Sequence, residues 1–599
     1  MESDVINEED SFKTVKMTLN QFCSNKDIKC RINEFVLNAN KIMFEAYAFA
    51  NLHIIKCLNQ NKDIPLINQT FFQNCCCFVT NMYQRNTKNP DDVEMNDTFN
   101  LYSNCRPDNY KPAFRDYNGV LINYIKKDMI IATTNHLVLN FYNRITKYIK
   151  HKYNFDNKKT YSIVKQLYEK EYSGDDKIII ELRNRLNNLP PTEKNVKKNP
   201  NYIVTIYNEI LNYIIEHNLE PKNKALRLFS ILPHKNSFTI SNITIDKSVL
   251  KDIISSFKKD ECEDEIIIKF LNQKSNETKI EMINNPKKYW SLFFNIKNIK
   301  DFASIIKTDG NSACIMYNNT REIESKMKKN LKGISKIKDD NDLTNINLND
   351  FDTIKAFDPG FRYMYVGTNT TEKKENDITK CSSKSYYHKC QMNKASQQKH
   401  IIYKKNDFIS NYFKQMPTNK TNDITNYLNY VTYSLSELTR CLKFHFDKPM
   451  RKLRFTTYIY KQKTMNELCK QITEKKHIND KSKALIGFGD WSNQKDSIIK
   501  GHHRGPIVAL KKELKKWCKL CVIDEFRTSK LCCKCHNETE KMSYNNIKIN
   551  SVLRCKNNEC GTVIDRDING CKNIYNIFKN ALEGKERPKA FLRTNTVYN

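Results

Sequence analysis

The sequence lacks the features expected of a secreted, membrane-spanning or repeat protein. It has no run of about 18 apolar residues, which a bilayer crossing requires, and its acidic first residues, MESDVINEED, contain no apolar signal-peptide core. No segment repeats. We therefore expect a soluble, intracellular protein that does not contact a membrane, with its 21 cysteines mostly reduced.

Acidic charge is also scarce. The 599 residues include 100 Lys and Arg but only 67 Asp and Glu, a net charge of +33. Phosphate is the usual partner of such a surplus, because each neutralised phosphate releases a condensed counterion. A solubility surface or a lysine-rich composition is the alternative. The length allows several domains.

The first half of the chain is predicted to be mainly helical. Val15, Met17 and Leu19 alternate with polar residues and predict a short strand. Helical patterns then continue from about residue 27 to 290, interrupted by a predicted linker or exposed loop at 184–201.

The second half is predicted to mix strands and helices. Two strands are expected in SLFFNIKNI and ASIIKTDGNSACIMYN, with a turn at Asp309-Gly310. The later patterns predict a loop at 327–350, a hairpin in IKAFDPGFRYMYVGT, basic helices at 400–480, a strand in KALIGFGDWS, a helix in IVALKKELKKWCKL, a strand in CVIDEF and a final helix at 568–582.

Three acidic residues lie at the ends of predicted elements. Asp358 precedes Pro359-Gly360, Glu525 follows the apolar run 521–523, and Asp567 lies at the start of the final helix. A carboxylate at the end of an apolar strand is poorly solvated, and Mg²⁺ prefers oxygen ligands. Two such ions, about 3.5–4 Å apart, can promote phosphodiester hydrolysis. Each acid would also fit a turn or a helix cap, and spacing alone does not bring the three together.

Two short cysteine pairs have the spacing of a zinc ribbon. A C-x₂-C pair and a C-x₄-C pair are separated by 19 residues (555−535−1) and comprise Cys532, Cys535, Cys555 and Cys560. Tetrahedral zinc is the expected ligand. Free thiols are the alternative, as is replacement of one ligand by Cys533 or His536.

Two other groups are assigned no chemistry. Cys75, Cys76 and Cys77 are adjacent and are expected to pack in a core, since neighbouring residues do not easily converge on one metal. His502-His503 is expected to lie in a solvated or phosphate-contacting loop.

The acids and cysteines together resemble the nuclease half of TnpB proteins and type V CRISPR effectors. The matching motifs are Asp358-Pro359-Gly360, Glu525-Phe526-Arg527-Thr528-Ser529 leading to Cys532, and Asp565-Arg566-Asp567-Ile568-Asn569 leading to Asn573-Ile574. The resemblance covers about residues 351–599. It is most similar to the Fanzor branch, which places its middle catalytic Glu just before the R-T-S motif, where Glu525 stands. Asp490, on the preceding strand, is the competitor for that role. Asp565 is expected to cap the helix or position Arg566.

The resemblance implies a multidomain α+β protein. The implied order is a strand of a β-domain at 1–25, a helical recognition region at 26–285, the rest of the β-domain and a linker at 286–350, an RNase H-like (RuvC) domain at 351–527 and 563–599, and an inserted zinc ribbon at 528–562.

The implied function is RNA-guided DNA cleavage. Asp358, Glu525 and Asp567 would hold two Mg²⁺ ions, the cysteines would hold one structural Zn²⁺, and a guide RNA would pair with one strand of target double-stranded DNA. A monomer encoded by a transposable element or virus, and a nuclear location, are expected. A non-catalytic RNA-guided regulator, an RNase H-like strand transferase and a plain zinc-ribbon nucleic-acid-binding protein are the alternatives.

Four basic residues are candidate nucleic-acid contacts. The segment 451–461 mixes basic and aromatic residues, which suits phosphate and stacked bases, although an amphipathic surface helix would have the same pattern. The candidates are Arg451, Arg454, Lys461 and Arg527.

Overall fold

The structure is a computed structural model, and it describes twelve stretches of the chain. These are residues 12–81, 90–113, 119–217, 226–235, 237–258, 264–272, 285–296, 301–318, 347–369, 378–491, 505–545 and 547–593. They divide into two compact units: Met1–Lys326 with Ile402–Lys452, and Met327–Ile401 with Leu453–Asn599. The mixed α+β class is confirmed, with twenty helices and three sheets in the described part.

The elements are numbered in chain order. The helices are α1 Leu19–Phe22, α2 Lys26–Asn59, α3 Gln69–Val79, α4 Pro90–Ser103, α5 Gly119–Lys152, α6 Asn157–Leu167, α7 Lys177–Arg185, α8 Glu193–Lys198, α9 Asn201–Glu216, α10 Lys247–Ser255, α11 Glu265–Asn272, α12 Pro286–Phe293, α13 Ser383–Lys389, α14 Met392–Lys404, α15 Asp407–Gln415, α16 Ile424–Ser436, α17 Leu438–Phe446, α18 Lys448–Thr473, α19 Ile507–Leu514 and α20 Arg566–Leu582. The strands are β1 Phe12–Thr18, β2 Ile243–Ile245, β3 Phe302–Thr308, β4 Ser312–Asn318, β5 Thr353–Asp358, β6 Tyr363–Asn369, β7 Ile378–Ser382, β8 Ala484–Gly489, β9 Lys519–Ile523, β10 Thr539–Tyr544, β11 Ile547–Cys555 and β12 Val563–Asp565.

The first unit is built around α2. The Asn25 side chain caps this 34-residue helix by accepting a hydrogen bond from the Ile28 amide. Residues 42–57 of the helix are buried without interruption, so α2 is enclosed on all sides rather than amphipathic. Cys75 and Cys76 of α3 are buried in the same core, as predicted, whereas Cys77, which was predicted to pack with them, is half-buried.

An antiparallel sheet in the order β1-β4-β3-β2 completes this unit. The predicted turn at Asp309-Gly310 joins β3 to β4, with Gly310 at φ +81 and an Asp309 carboxylate oxygen accepting from the Ser312 amide at 2.8 Å. Strand β2 lies inside the region predicted to be helical and was missed.

Two predictions for this unit were wrong in part. Residues 291–293, predicted as a strand, form the end of α12, which starts with Pro286 at its first position, where proline favours a helix. The predicted loop at 184–201 contains α8, whose Val196 is buried.

The second unit contains a five-stranded sheet in the order β7-β6-β5-β8-β9. Strand β5 pairs antiparallel with β6, which confirms the predicted hairpin, whereas β5, β8 and β9 run parallel. Phe357 and Phe488 pack on one face in a core shared with α18 and α19. Ala356 and Leu485 pack on the other face against α20. Helices therefore cover both faces of the sheet.

The third sheet, β10-β11-β12, is antiparallel and lies between β9 and α20 in the chain. The predicted loop at 327–350 lies mostly outside the described residues, although residues 348–350 form a short 3₁₀ turn. His502-His503 also lies outside them. None of the helices in the described part has the length and apolar character that a bilayer crossing requires.

The domain boundaries predicted from the resemblance remain predictions. Residues 402–452, which that prediction assigns to the nuclease domain, cluster with the first unit.

Candidate active site and metal centre

Two of the three predicted carboxylates lie at one edge of the five-stranded sheet. Asp358 is the last residue of β5, and Glu525 follows the end of β9 by two residues. Between them, β8 ends at Gly489 and is followed by Asp490. Because the three strands are parallel, their carboxyl ends share an edge, where ligands bind in open α/β sheets.

The third carboxylate comes from the start of α20, which packs against β5. Asp565 caps the helix, accepting from the Asp567 amide at 2.9 Å. One turn into the helix, Gly570 lies so close to Asp358 that a Cβ there would be 2.5 Å from Asp358 Oδ2. Asp567 precedes Gly570 by three residues on the same helix, and its Oδ1 accepts a hydrogen bond from Arg566 Nη2 at 2.9 Å.

Glu525 is held by the end of β8. Its Oε1 accepts a hydrogen bond from the Trp491 amide at 3.1 Å, and its carboxylate fills the space where a Cβ at Gly489 would lie. Lys511 of α19 donates to the Gly489 carbonyl at 2.5 Å. Asp490 is exposed, and its Oδ1 accepts from the Glu525 amide at 3.3 Å. Asp490 therefore supports the backbone of Glu525.

The site concentrates negative charge. Burial, the charge of Glu525 and the charge of Asp567 raise the pKa of Asp358 well above its usual range, and Arg566 opposes this. Burial raises the pKa of Glu525 to about 8, opposed mainly by the Trp491 amide. Deprotonating these groups together is unfavourable unless a cation joins them. The carboxylates therefore fit a divalent cation chemically.

The spacing of the carboxylates is wider than that of a single-ion site. The only described set of three or more His, Cys, Asp or Glu residues with ligand atoms all within 4.8 Å is the cysteine set. Two ions lie about 3.5–4 Å apart, and each is about 2.0–2.1 Å from its oxygen ligands. Carboxylate oxygens that share two ions can therefore lie farther apart than those that share one. Which arrangement the acids adopt around ions stays a prediction.

The four predicted cysteines converge. Their sulfurs lie within 4.8 Å of one another, at 3.8 Å for Cys532–Cys560 and 3.4 Å for Cys535–Cys555. Zinc–sulfur bonds of about 2.3 Å in a tetrahedron place the sulfurs about 3.8 Å apart. The cluster is therefore compatible with one structural zinc ion.

The neighbouring alternatives lie outside this set. The Cys533 amide donates to Asn569 Oδ1 at 2.9 Å, and the His536 ring packs against Phe591 with centroids 5.1 Å apart. Hydrogen bonds from the Thr562 hydroxyl and amide lower the pKa of Cys560 to about 6. A thiolate at this position suits a zinc ligand.

Two buried asparagines join the cysteine cluster to α20, a role that the sequence analysis did not assign. Asn573 Nδ2 donates to the Thr528 and Leu531 carbonyls, both at 2.8 Å, and Asn569 Nδ2 donates to Leu531 at 2.7 Å. Both side chains are fully buried. The N-x-x-x-N spacing, which places both residues on one helix face, was the available signal.

The four basic candidates differ in their surroundings. Arg451 stacks on Phe446 at 4.2 Å and donates to the Gly310 carbonyl at 2.8 Å, so it supports the β3–β4 turn. The remaining candidates are the half-buried Arg454, the exposed Lys461 and Arg527, which pairs with Glu538 at 3.3 Å. Nucleic-acid contact by any of them stays a prediction.

Comparison with protein families matches part of the chain. Residues 510–574 match the family described as Cas12f1-like, TNB domain. This segment contains Glu525, all four cysteines and Asp567, and is similar to the TnpB/Cas12 type of protein. No curated protein matches the chain.

Proposed function

We propose that this protein is an RNA-guided DNA endonuclease of the TnpB/Cas12 kind, and of its Fanzor branch. The observation that carries the proposal is the convergence of acids at one edge of the sheet. Asp358 abuts Gly570, one turn into the helix that bears Asp567, and Glu525 lies just after the end of the neighbouring parallel strand β9. The family similarity of residues 510–574 supports the same class.

Asp358, Glu525 and Asp567 would hold two Mg²⁺ ions. When bound, such ions activate water and stabilise the leaving oxygen of a phosphodiester. The chain contributes the positions of the carboxylates: the Trp491 amide orients Glu525, and the Asp565 cap orients the helix start. Asp490 contacts the Glu525 backbone, which favours Glu525 as the ligand. No protein nucleophile is required.

The remaining parts have supporting roles. The four cysteines would hold one Zn²⁺, which fixes the segment between β9 and α20. A guide RNA and target double-stranded DNA are the proposed partners, with the RNA–DNA duplex held through its backbone. The net charge of +33 suits that contact. A monomer encoded by a transposable element or virus and acting in the nucleus is part of the same proposal.

Cleavage by the protein with its copurifying RNA tests the proposal. The RNA is sequenced, and two plasmids are offered with Mg²⁺, one carrying a match to the variable end of the RNA. We expect cleavage of the matched plasmid only, and none with EDTA or in Asp358→Ala.

The other outcomes identify the alternatives. Binding of the matched plasmid without cleavage would indicate a regulator, and joining of DNA ends without RNA would indicate a strand transferase. Equal cleavage by Asp358→Ala would remove that residue from the active site.

A further inference from the structure

A small cavity in the first unit has a cationic wall. It has a volume of about 230 Å³ and lies between α5, α9 and residues 226–229. Among the residues that the structure describes, its polar lining consists of Asn140, Asn143, Arg144, Lys147 and Arg227, and none of these lining residues is acidic. Three cations around a recess create a positive potential that attracts an anion.

Arg144 is held in place by aromatic rings. Its guanidinium carbon lies 4.4 Å from the centre of the Tyr207 ring and 3.8 Å from that of Phe229. The two rings contact each other edge to face at 5.1 Å. The guanidinium is therefore fixed before any ligand arrives, and little side-chain entropy remains to be lost on binding.

Within the described residues, no carboxylate balances the charge of Arg144. None of the ion pairs within the described part of the chain includes Arg144, and burial lowers the pKa of its guanidinium. Removing a cation from water without a counter-ion is costly, and aromatic rings offset only part of that cost. The nearby His136 does not supply a negative charge, because its imidazole is neutral or cationic.

Resting on the proposed function for the source of the ligand, we propose that this cavity binds a phosphate group of a nucleic-acid strand, with Arg144 as the central contact and Lys147 and Arg227 adding charge. The volume is below the range of about 300–1,000 Å³ typical of sites for whole small molecules, so a phosphate fits better than a complete nucleotide. A planar guanidinium matches phosphate oxygens in a bidentate manner. A strand terminus and an internal diester are the two sources of such a phosphate, and both present anionic phosphate oxygens to the guanidinium.

Binding of a short oligouridylate to the full-length protein tests this site. The probe is prepared with a 5′-phosphate and with a 5′-hydroxyl, and affinity is measured by fluorescence anisotropy. Arg144→Met should weaken binding about tenfold or more, as expected for a lost charge-assisted contact, and Arg227→Met should weaken it less. Lys150→Met is the matched control, because Lys150 lies on the same helix, is exposed and bonds to Asn157 at 2.7 Å.

The two probes identify the source of the phosphate. A loss of affinity confined to the 5′-phosphorylated probe assigns the site to a strand terminus, and an equal loss for both probes assigns it to an internal diester.

Affinities of Arg144→Met and Arg227→Met equal to that of Lys150→Met would overturn the proposal. Melting temperatures identify any unfolded variant, and Arg227→Met carries the test if Arg144→Met does not fold, because Arg227 is exposed. DNA cleavage is not measured, so failure here leaves the proposed nuclease function intact.

Discussion

Gly489 and Gly570 leave the space that two of the proposed metal-binding carboxylates occupy. A Cβ at Gly570 would lie 2.5 Å from Asp358 Oδ2, and one at Gly489 would overlap the Glu525 carboxylate. Neither glycine has a positive φ, so the requirement is for space and not for backbone freedom. The acids could be predicted from the sequence. The close contacts of the two glycines could not, because they join residues far apart in the chain and produce no local sequence pattern.

Gly570→Ala should reduce cleavage at least about tenfold, because displacing a reacting group by about 1 Å can cost about a hundredfold. Its melting temperature should change little, since alanine favours a helix over glycine by about 1 kcal/mol and offsets part of the clash. Gly119→Ala, at the start of α5 with nothing within 4 Å of its Cβ, is the control. Unchanged cleavage by Gly570→Ala, measured on matched DNA, would show that Asp358 is placed elsewhere during the reaction.

Without divalent ions, Glu525 should destabilise the protein at alkaline pH. Its pKa rises from 4.5 to about 8 on folding, so the folded state binds the proton more tightly. The contribution of this proton binding to the free energy of unfolding is fully present below about pH 4.5 and is lost as the pH rises through about 8. In EDTA, Glu525→Gln should therefore melt at least about 2 °C above the wild type near pH 9.

The control for this titration is Glu538→Gln. Lys556 lowers the pKa of the exposed Glu538. Glu538→Gln should therefore not raise the melting temperature at high pH. Calorimetric scans at about pH 4.5 and about pH 9 give both comparisons. A wild type that melts as high as Glu525→Gln at the upper pH would mean that Glu525 is solvated and not buried among acids.

At the scale of elements, the sequence predicted most strands and helices where the pattern was long. The hairpin β5–β6, strand β8 and helix α20 have clear apolar periodicity and turn or cap residues. The end of α12, residues 291–293, was mistaken for a strand because the run SLFFNIKNI is largely apolar and contains Phe293 and Phe294, although Pro286 is a helix-start signal. Strand β2 has three residues, too few for an alternating pattern to register.

The cysteine cluster should bind one zinc ion per chain. Cys532→Ala should abolish zinc binding and lower the melting temperature, because the metal replaces a hydrophobic core in a ribbon of this size. Cys533→Ala is the matched control, since Cys533 is adjacent but lies outside the cluster. Metal analysis of the purified variants gives the stoichiometry; zinc retained by Cys532→Ala and lost by Cys533→Ala would contradict the assignment.

At the scale of the whole molecule, two features were beyond prediction from the sequence. The strand order β7-β6-β5-β8-β9 decides which strand ends are neighbours, and it depends on pairings between residues more than a hundred positions apart, such as Ala356 with Gly487. The grouping of residues 402–452 with the first unit also depends on long-range packing, including Tyr427 of α16, which donates to the Ala48 carbonyl at 3.1 Å. Neither the strand order nor this grouping can be predicted from local sequence patterns.

The proposed function requires Asp358, Glu525 and Asp567 to bind divalent ions together. Calorimetric titration with Mn²⁺ tests it most directly, comparing wild type with Asp358→Asn and with Asp490→Asn as the control. We expect the wild type and Asp490→Asn to bind up to two ions, and Asp358→Asn to lose this binding while keeping its zinc. Equal Mn²⁺ binding by Asp358→Asn and the wild type would contradict the account.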